Sequence, residues 1–206
     1  MLLIFGLRPR YRVLSEGTFA CPNEGGDRTY RRKLARNWFT LFFVPLIPLN
    51  VLGEMVECSS CKTAYDPKVL TMPTAAQMMN DLADAVRHAV VAVMVADGDA
   101  DEAEKRAGLA LVETYADTPY TMYDLESDLR SLRRADVAGT VGRVAGSLNE
   151  HGKEGLMMAL GGVATSDGGL HGDEVEALRD IGASLGLTPA HIRGILADVT
   201  DGMFES

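Results

Sequence analysis

The spacing of apolar positions changes character near residue 72. Before that point, β-branched and aromatic runs fall at Ile4 to Tyr11, Thr18 to Ala20, Trp38 to Val44 and Glu54 to Cys58. Gly, Pro and Asn separate them, which is the punctuation of short strands and turns. After it the period lengthens to that of helices. Thr74, followed by Gln77 at capping-box spacing, predicts a helix start directly after Pro73. Met78, Leu82, Val86, Ala89, Val90, Val93 and Met94 then share one helical face. Leu125–Leu129–Leu132 and Val137–Val141–Val144–Leu148 mark further helices. In the stretch Glu174 to Leu185, Val175, Leu178, Ile181 and Leu185 line one side, and Gly186 is placed to end the helix. Thr188-Pro189 opens another, with Ile192, Ile195, Leu196 and Val199 as its buried face. The expected class is α+β: a small β module over residues 1–72 and an all-helical domain over 73–206.

Charge divides the chain at the same place. The overall formal charge of −9 resolves into +4 up to Met72 and −13 from Pro73 onward. An acidic body disfavours nucleic acid over most of the surface and suits cations, whereas the basic head keeps a nucleic-acid or acidic partner open. The longest apolar run, Phe39 to Leu49, is far shorter than the roughly 20 residues a membrane-spanning helix needs, and Pro45 and Pro48 interrupt it. The apolar start, MLLIFGLRPRY, lacks the length and cleavage site of a secretory signal. With three cysteines, two of them in a C-x-x-C pair, metal ligation is the first reading and the cytoplasm the expected compartment.

Cys21-Pro-Asn-Glu24 and Cys58-Ser-Ser-Cys61 each follow a strand-like stretch, where a tight turn aims successive side chains at one metal. Together they offer C-x-x-E and C-x-x-C, so Cys21, Glu24, Cys58 and Cys61 are the candidate zinc ligands. A carboxylate can ligate zinc, and a β module this small usually needs such a staple. The competing reading is a decayed site whose fold survives on its apolar strands. Asp27 is a second candidate for the fourth position.

The segment as a whole resembles a bacterial zinc-ribbon family. The resemblance is carried by Arg8-Pro-Arg10, Gly17-Thr18-Phe19, Cys21-Pro22, Tyr30-Arg31, Arg36, Trp38 to Phe43, Pro45 to Leu49, Glu57-Cys58 to Cys61 and Tyr65-Asp66-Pro67. It departs from the family at Glu24, where a ribbon carries cysteine. The resemblance implies that Trp38–Leu49 is the packed strand pair of the ribbon, in preference to a membrane-contacting edge. Arg28, Arg31, Arg32, Lys33 and Arg36 cluster beside Tyr30 and Trp38, so residues 28–38 are the place where nucleic acid would bind. A solvated face paired with the acidic body is the simpler reading of the same cluster.

The helical body contains a repeat. Val95-Ala-Asp97-Gly98-Asp-Ala-Asp-Glu-Ala-Glu104 aligns with Thr165-Ser-Asp167-Gly168-Gly-Leu-His-Gly-Asp-Glu174, and both read Asp-Gly-x5-Glu between two helices. The glycine permits a sharp turn and the glutamate falls in the first turn of the next helix. Asp-Gly turns and first-turn glutamates are common for purely structural reasons, but the second copy at identical spacing points to a shared site. Clustered carboxylates need a cation or protons to offset their repulsion, and oxygen-only ligands suit calcium or magnesium. The loop is not an EF-hand, because Gly98 is misplaced and Gly108 stands where a bidentate Glu is required.

This pattern resembles the TerB-like family, named for tellurite resistance, over about Ala75 to Val199. The resemblance implies an all-helical domain in which Asp97, Glu104, Asp167 and Glu174 ligate a cation. Direct capture of tellurite by these residues is excluded on charge, since clustered carboxylates repel an oxyanion. The four histidines are scattered, and no nucleophile is paired with a base. The expected function is therefore a non-enzymatic, metal-binding stress-response protein that works as cation sensor or scaffold with protein partners. The alternative is a nucleic-acid-associated protein acting through the basic head.

Overall fold

The computed structural model describes residues 5–41, 44–98, 100–132 and 134–201. Ile4, Phe42, Phe43 and Asp99, all used in the sequence reading, lie outside that set. The chain divides into two compact units, Met1–Gln77 and Met78–Ser206.

The first unit is an antiparallel sheet of order β1-β2-β3-β4, with β1 Phe5–Cys21, β2 Gly26–Leu41, β3 Val44–Cys58 and β4 Ala64–Tyr65. The strands are much longer than the apolar runs foretold. The Arg28–Arg36 stretch, with no apolar alternation, is the middle of β2 because both its neighbours pair with it. Four of its five cations are offset within the first unit. Arg28 pairs with Glu24, Arg31 with Glu16, Arg32 with Glu54 and Lys33 with Glu57. Pro9 is tolerated because β1 is an edge strand.

The core of this unit sits at one end of the sheet. Phe19, Cys21, Val56 and Cys58 are buried there, with Tyr30, Cys61, Tyr65, Val69 and Leu70 packed around them. The Phe19 ring meets Tyr30 and Tyr65 edge-on, each at 5.8 Å between centroids. At the other end the expectation for Trp38–Leu49 fails in part. The strand pair forms, but Val44, Leu46, Ile47 and Leu49 are exposed. Thr40 is buried there, donating to the Gly6 carbonyl, and Trp38 and Phe39 are half-buried.

After β4 the chain makes a 3-10 turn over Pro67–Thr71, started by Asp66, whose side chain accepts from Lys68 N at 2.9 Å. The first helix, α1 (Ala75–Met94), begins with the expected capping box: Gln77 N donates to Thr74 Oγ1 and Thr74 N to Gln77 Oε1. Asp27 reinforces that start by accepting from Ala75 N at 2.9 and 3.0 Å. It is thereby employed as a helix cap.

The second unit is all helical: α2 Glu102–Tyr115, α3 Met122–Ser131, α4 Arg134–Val144, α5 Glu150–Ala164, α6 Gly172–Ser184 and α7 Pro189–Asp201 follow α1. The apolar faces read from spacing are largely the buried ones. Val86, Ala89, Val90, Val93 and Met94 of α1 join Leu178, Ile181, Leu185, Ile192, Ile195 and Leu196 in one core. Met78 does not, and stays exposed in the early turns of α1. Leu148 packs on the core from the turn beyond α4, which ends at Val144. Gly186, with φ of 79°, closes α6 as its position predicted. Helices approach closely at glycines: a Cβ on Gly161 would lie 2.6 Å from a Val199 methyl, and one on Gly108 2.7 Å from Val90.

Candidate metal centres

Two tight turns build the first centre. In one, Gly25 N donates to the Cys21 carbonyl at 2.9 Å, and in the other Lys62 N donates to the Cys58 carbonyl at 3.1 Å. Both turns close on a left-handed residue, Gly25 at φ 66° and Lys62 at φ 62°. Lys62 adopts this conformation without being glycine, so the likeness of the two turns is hidden in the sequence. The ligand atoms of Cys21, Glu24, Cys58 and Cys61 consequently lie within 4.8 Å of one another.

The donor spacing suits a metal. Sulfurs about 2.3 Å from a tetrahedral zinc are about 3.8 Å apart, and Cys21 Sγ lies 3.8 Å from Cys61 Sγ. Hydrogen bonding from Thr63 lowers the Cys61 thiol to about 6, which favours its thiolate, while burial pushes Cys58 up. The Tyr65 hydroxyl lies 3.4 Å from Cys21 Sγ, and that bond raises its own ionisation to about 12. Glu24 joins the two turns: its carboxylate accepts from Ser60 Oγ at 2.8 Å and from Arg28 Nε at 2.7 Å. The group can hold a metal ion through three thiols and a carboxylate.

The second centre grows from the repeat, which the backbone reproduces. Gly98 and Gly168 hold φ of 108° and 113°. Each glutamate then reaches back over its helix start: Glu104 Oε2 accepts from Asp101 N at 2.9 Å and Glu174 Oε2 from His171 N at 2.7 Å. Both are almost fully buried, 3 % and 1 % exposed. Packing of α2 on α5, and of α5 on α6, brings the corners together, close enough for the Glu174 side chain to act on Glu104. Two buried carboxylates in contact cannot both be charged without compensation. Burial first, then Glu174 and Asp97, push Glu104 up to about 7.

Asp97 and Asp167 remain exposed at the turns. Asp97 acts on Glu104 through its charge, and Asp167 Oδ1 accepts from Gly169 N at 3.3 Å. Among the described residues these four carboxylates do not gather as tightly as the Cys21 group. His171 reaches Glu174, with Nδ1 3.4 Å from Oε2.

Comparison with known families reports on the helical unit. The family model described as Tellurite resistance protein TerB matches residues 83–197. The chain belongs to the TerB family. No curated protein and no solved structure matches it. The TerB match spans both Asp-Gly corners and the glutamate pair, and leaves out the sheet and its thiols. Among the described residues no helix is long and apolar enough to cross a membrane.

Proposed function

We propose that this TerB-family chain is a non-enzymatic metal-binding protein of the tellurite-resistance type, whose helical unit senses a divalent cation and whose sheet is a zinc-stapled docking head. The observation that carries this reading is the burial of Glu104 and Glu174, one from each Asp-Gly corner, with Glu174 raising Glu104. Without a cation, a proton on Glu104 relieves the repulsion. Calcium or magnesium would replace that proton and recruit Asp97 and Asp167 from the turns as further oxygen ligands. Proton and cation then compete at Glu104 near neutral pH. The head would hold zinc through Cys21, Cys58, Cys61 and Glu24, which suits thiolate-rich tetrahedral coordination. No catalytic step is assigned: the carboxylates are engaged in helix caps, and the sequence pairs no nucleophile with a base.

Isothermal titration of calcium and of magnesium tests the sensor. The reading predicts binding that tightens as pH rises through neutrality, releases protons, and is lost in Glu104→Gln/Glu174→Gln. Absence of binding by the wild type, or unchanged affinity in the double variant, would refute it.

A further inference from the structure

The sheet is stratified along its length in a way its own core does not explain. Nearest the β2–β3 tip, the paired positions are Thr40 with Gly6 and Pro45, then Phe39 with Leu7 and Ile47. No charged residue occurs in 5–7, 39–41 or 44–47. The next level pairs Trp38 with Arg8 and Pro48, and behind it Arg36 pairs with Arg10 and Val51. The first acid on β3, Glu54, appears opposite Leu34, which in turn pairs with Arg12. From tip to core the order is therefore apolar, then aromatic with cation, then mixed charge. At about 3.3 Å per residue the apolar zone is roughly 10 Å deep.

The cations of this half differ from those nearer the thiols. Arg28, Arg31, Arg32 and Lys33 each have an acidic partner. Arg10, Arg12 and Arg36 are exposed and make no ion pair among the described residues, and Arg10 stands directly across from Arg36. Like charges opposite each other destabilise a sheet unless an anion lies against them, and no acid occurs in 5–15, 34–41 or 44–53. The apolar residues ahead of them are half or more exposed: Leu7 62 %, Val44 56 %, Leu46 52 % and Ile47 54 %. Strand addition from another chain is hindered at both edges, because Pro9 on β1 and Pro45 and Pro48 on β3 lack the N–H a ladder needs.

We propose that the tip of this sheet docks on an anionic lipid bilayer. Leu7, Phe39, Val44, Leu46 and Ile47 enter the boundary between headgroups and acyl chains, about 5–10 Å deep as for other interfacial elements. Trp38 lies at headgroup level, where amphipathic aromatic rings concentrate. Arg10, Arg12 and Arg36 meet the lipid phosphates, which supply the anions the sheet lacks. Insertion stops there, since open strand edges are not tolerated in the hydrocarbon. The attachment is peripheral and independent of the cation site in the helices.

The full-length protein is tested by co-sedimentation with vesicles of phosphatidylcholine alone and of phosphatidylcholine mixed with phosphatidylglycerol. Trp38 is the only tryptophan, so its emission reports the interface directly. The proposal expects binding to the anionic vesicles with a blue shift of Trp38, and little binding to the neutral ones. Leu46→Ser/Ile47→Ser and Arg10→Gln/Arg36→Gln alter exposed side chains and keep the native circular dichroism. Each lowers the partition coefficient tenfold or more, roughly what two interfacial arginines contribute. No binding and no blue shift in the wild type would overturn the proposal. So would self-association abolished by the tip variant, which would mean a second copy covers the tip. Binding to single-stranded nucleic acid that depends on Arg10 and Arg36 but not on the tip, without vesicle binding, would overturn it equally.

Discussion

The two units hold their candidate ligands in opposite ways. In the sheet, Cys21 and Cys58 are both ligands and core, sharing a small buried cluster with Phe19 and Val56. In the helical unit, Glu104 and Glu174 sit beside a large aliphatic core that is complete without them. A metal bound in the first arrangement would become part of the fold, as a structural staple. A cation bound in the second would leave the fold standing and displace the proton on Glu104.

Chelation breaks this comparison most forcefully. A thiolate zinc site contributes on the order of 10 kcal/mol to folding, far more than so small a cluster can replace. Stripping zinc, or making Cys58→Ser, should abolish amide protection in β1–β3 near the turns, while amides of α2, α5 and α6 keep theirs. Hydrogen exchange read by mass spectrometry distinguishes the two units.

Next in size is the response of the helices to pH. Burial pushes Glu104 up to about 7 in the folded state, against an ordinary carboxyl value of 4.5, which favours an extra proton on the folded chain between those values. The associated stabilisation is complete below about pH 4.5 and is lost as pH rises through 7, a change on the order of 3 kcal/mol. Thermal unfolding of the helical unit in chelator should show this loss, calcium should reverse it above neutrality, and Glu104→Gln should flatten it.

Smaller effects follow from packing and from the surface. Gly161→Ala would place its Cβ 2.6 and 2.9 Å from the Val199 methyls, costing about 1–3 kcal/mol by overpacking. Calorimetry should find the loss in the helical transition alone, and Val199→Ala should recover part of it. Arg31→Ala removes an exposed pair with Glu16 and should change stability by less than about 1 kcal/mol.

What could be read in advance was local. Thr74 with Gln77, the Asp-Gly corners and Thr188-Pro189 announce themselves because caps and turns depend on residues a few positions apart. The repeat suggested that four carboxylates gather; Glu104 and Glu174 are buried, whereas Asp97 and Asp167 stay exposed at the turns. Other features depended on distant partners that carry no local mark. Asp27 caps a helix that starts 48 residues later. β2 carries Arg28 to Arg36 through its centre because β1 and β3 supply the hydrogen bonds, and supply acids for Arg31, Arg32 and Lys33. Lys62 takes a glycine conformation without being glycine. The exposure of Val44 to Leu49 escaped the pattern because apolar runs look alike whether packed or bare.

Native mass spectrometry of the intact chain, with zinc and then calcium supplied, tests the two-site account most directly. The account predicts about one zinc per chain, lost in Cys58→Ser but kept in Glu104→Gln/Glu174→Gln. It also predicts calcium uptake with the reverse dependence, weakened in Asp97→Ala/Asp167→Ala. A chain that binds neither metal, or whose calcium uptake survives removal of both glutamates, would contradict it.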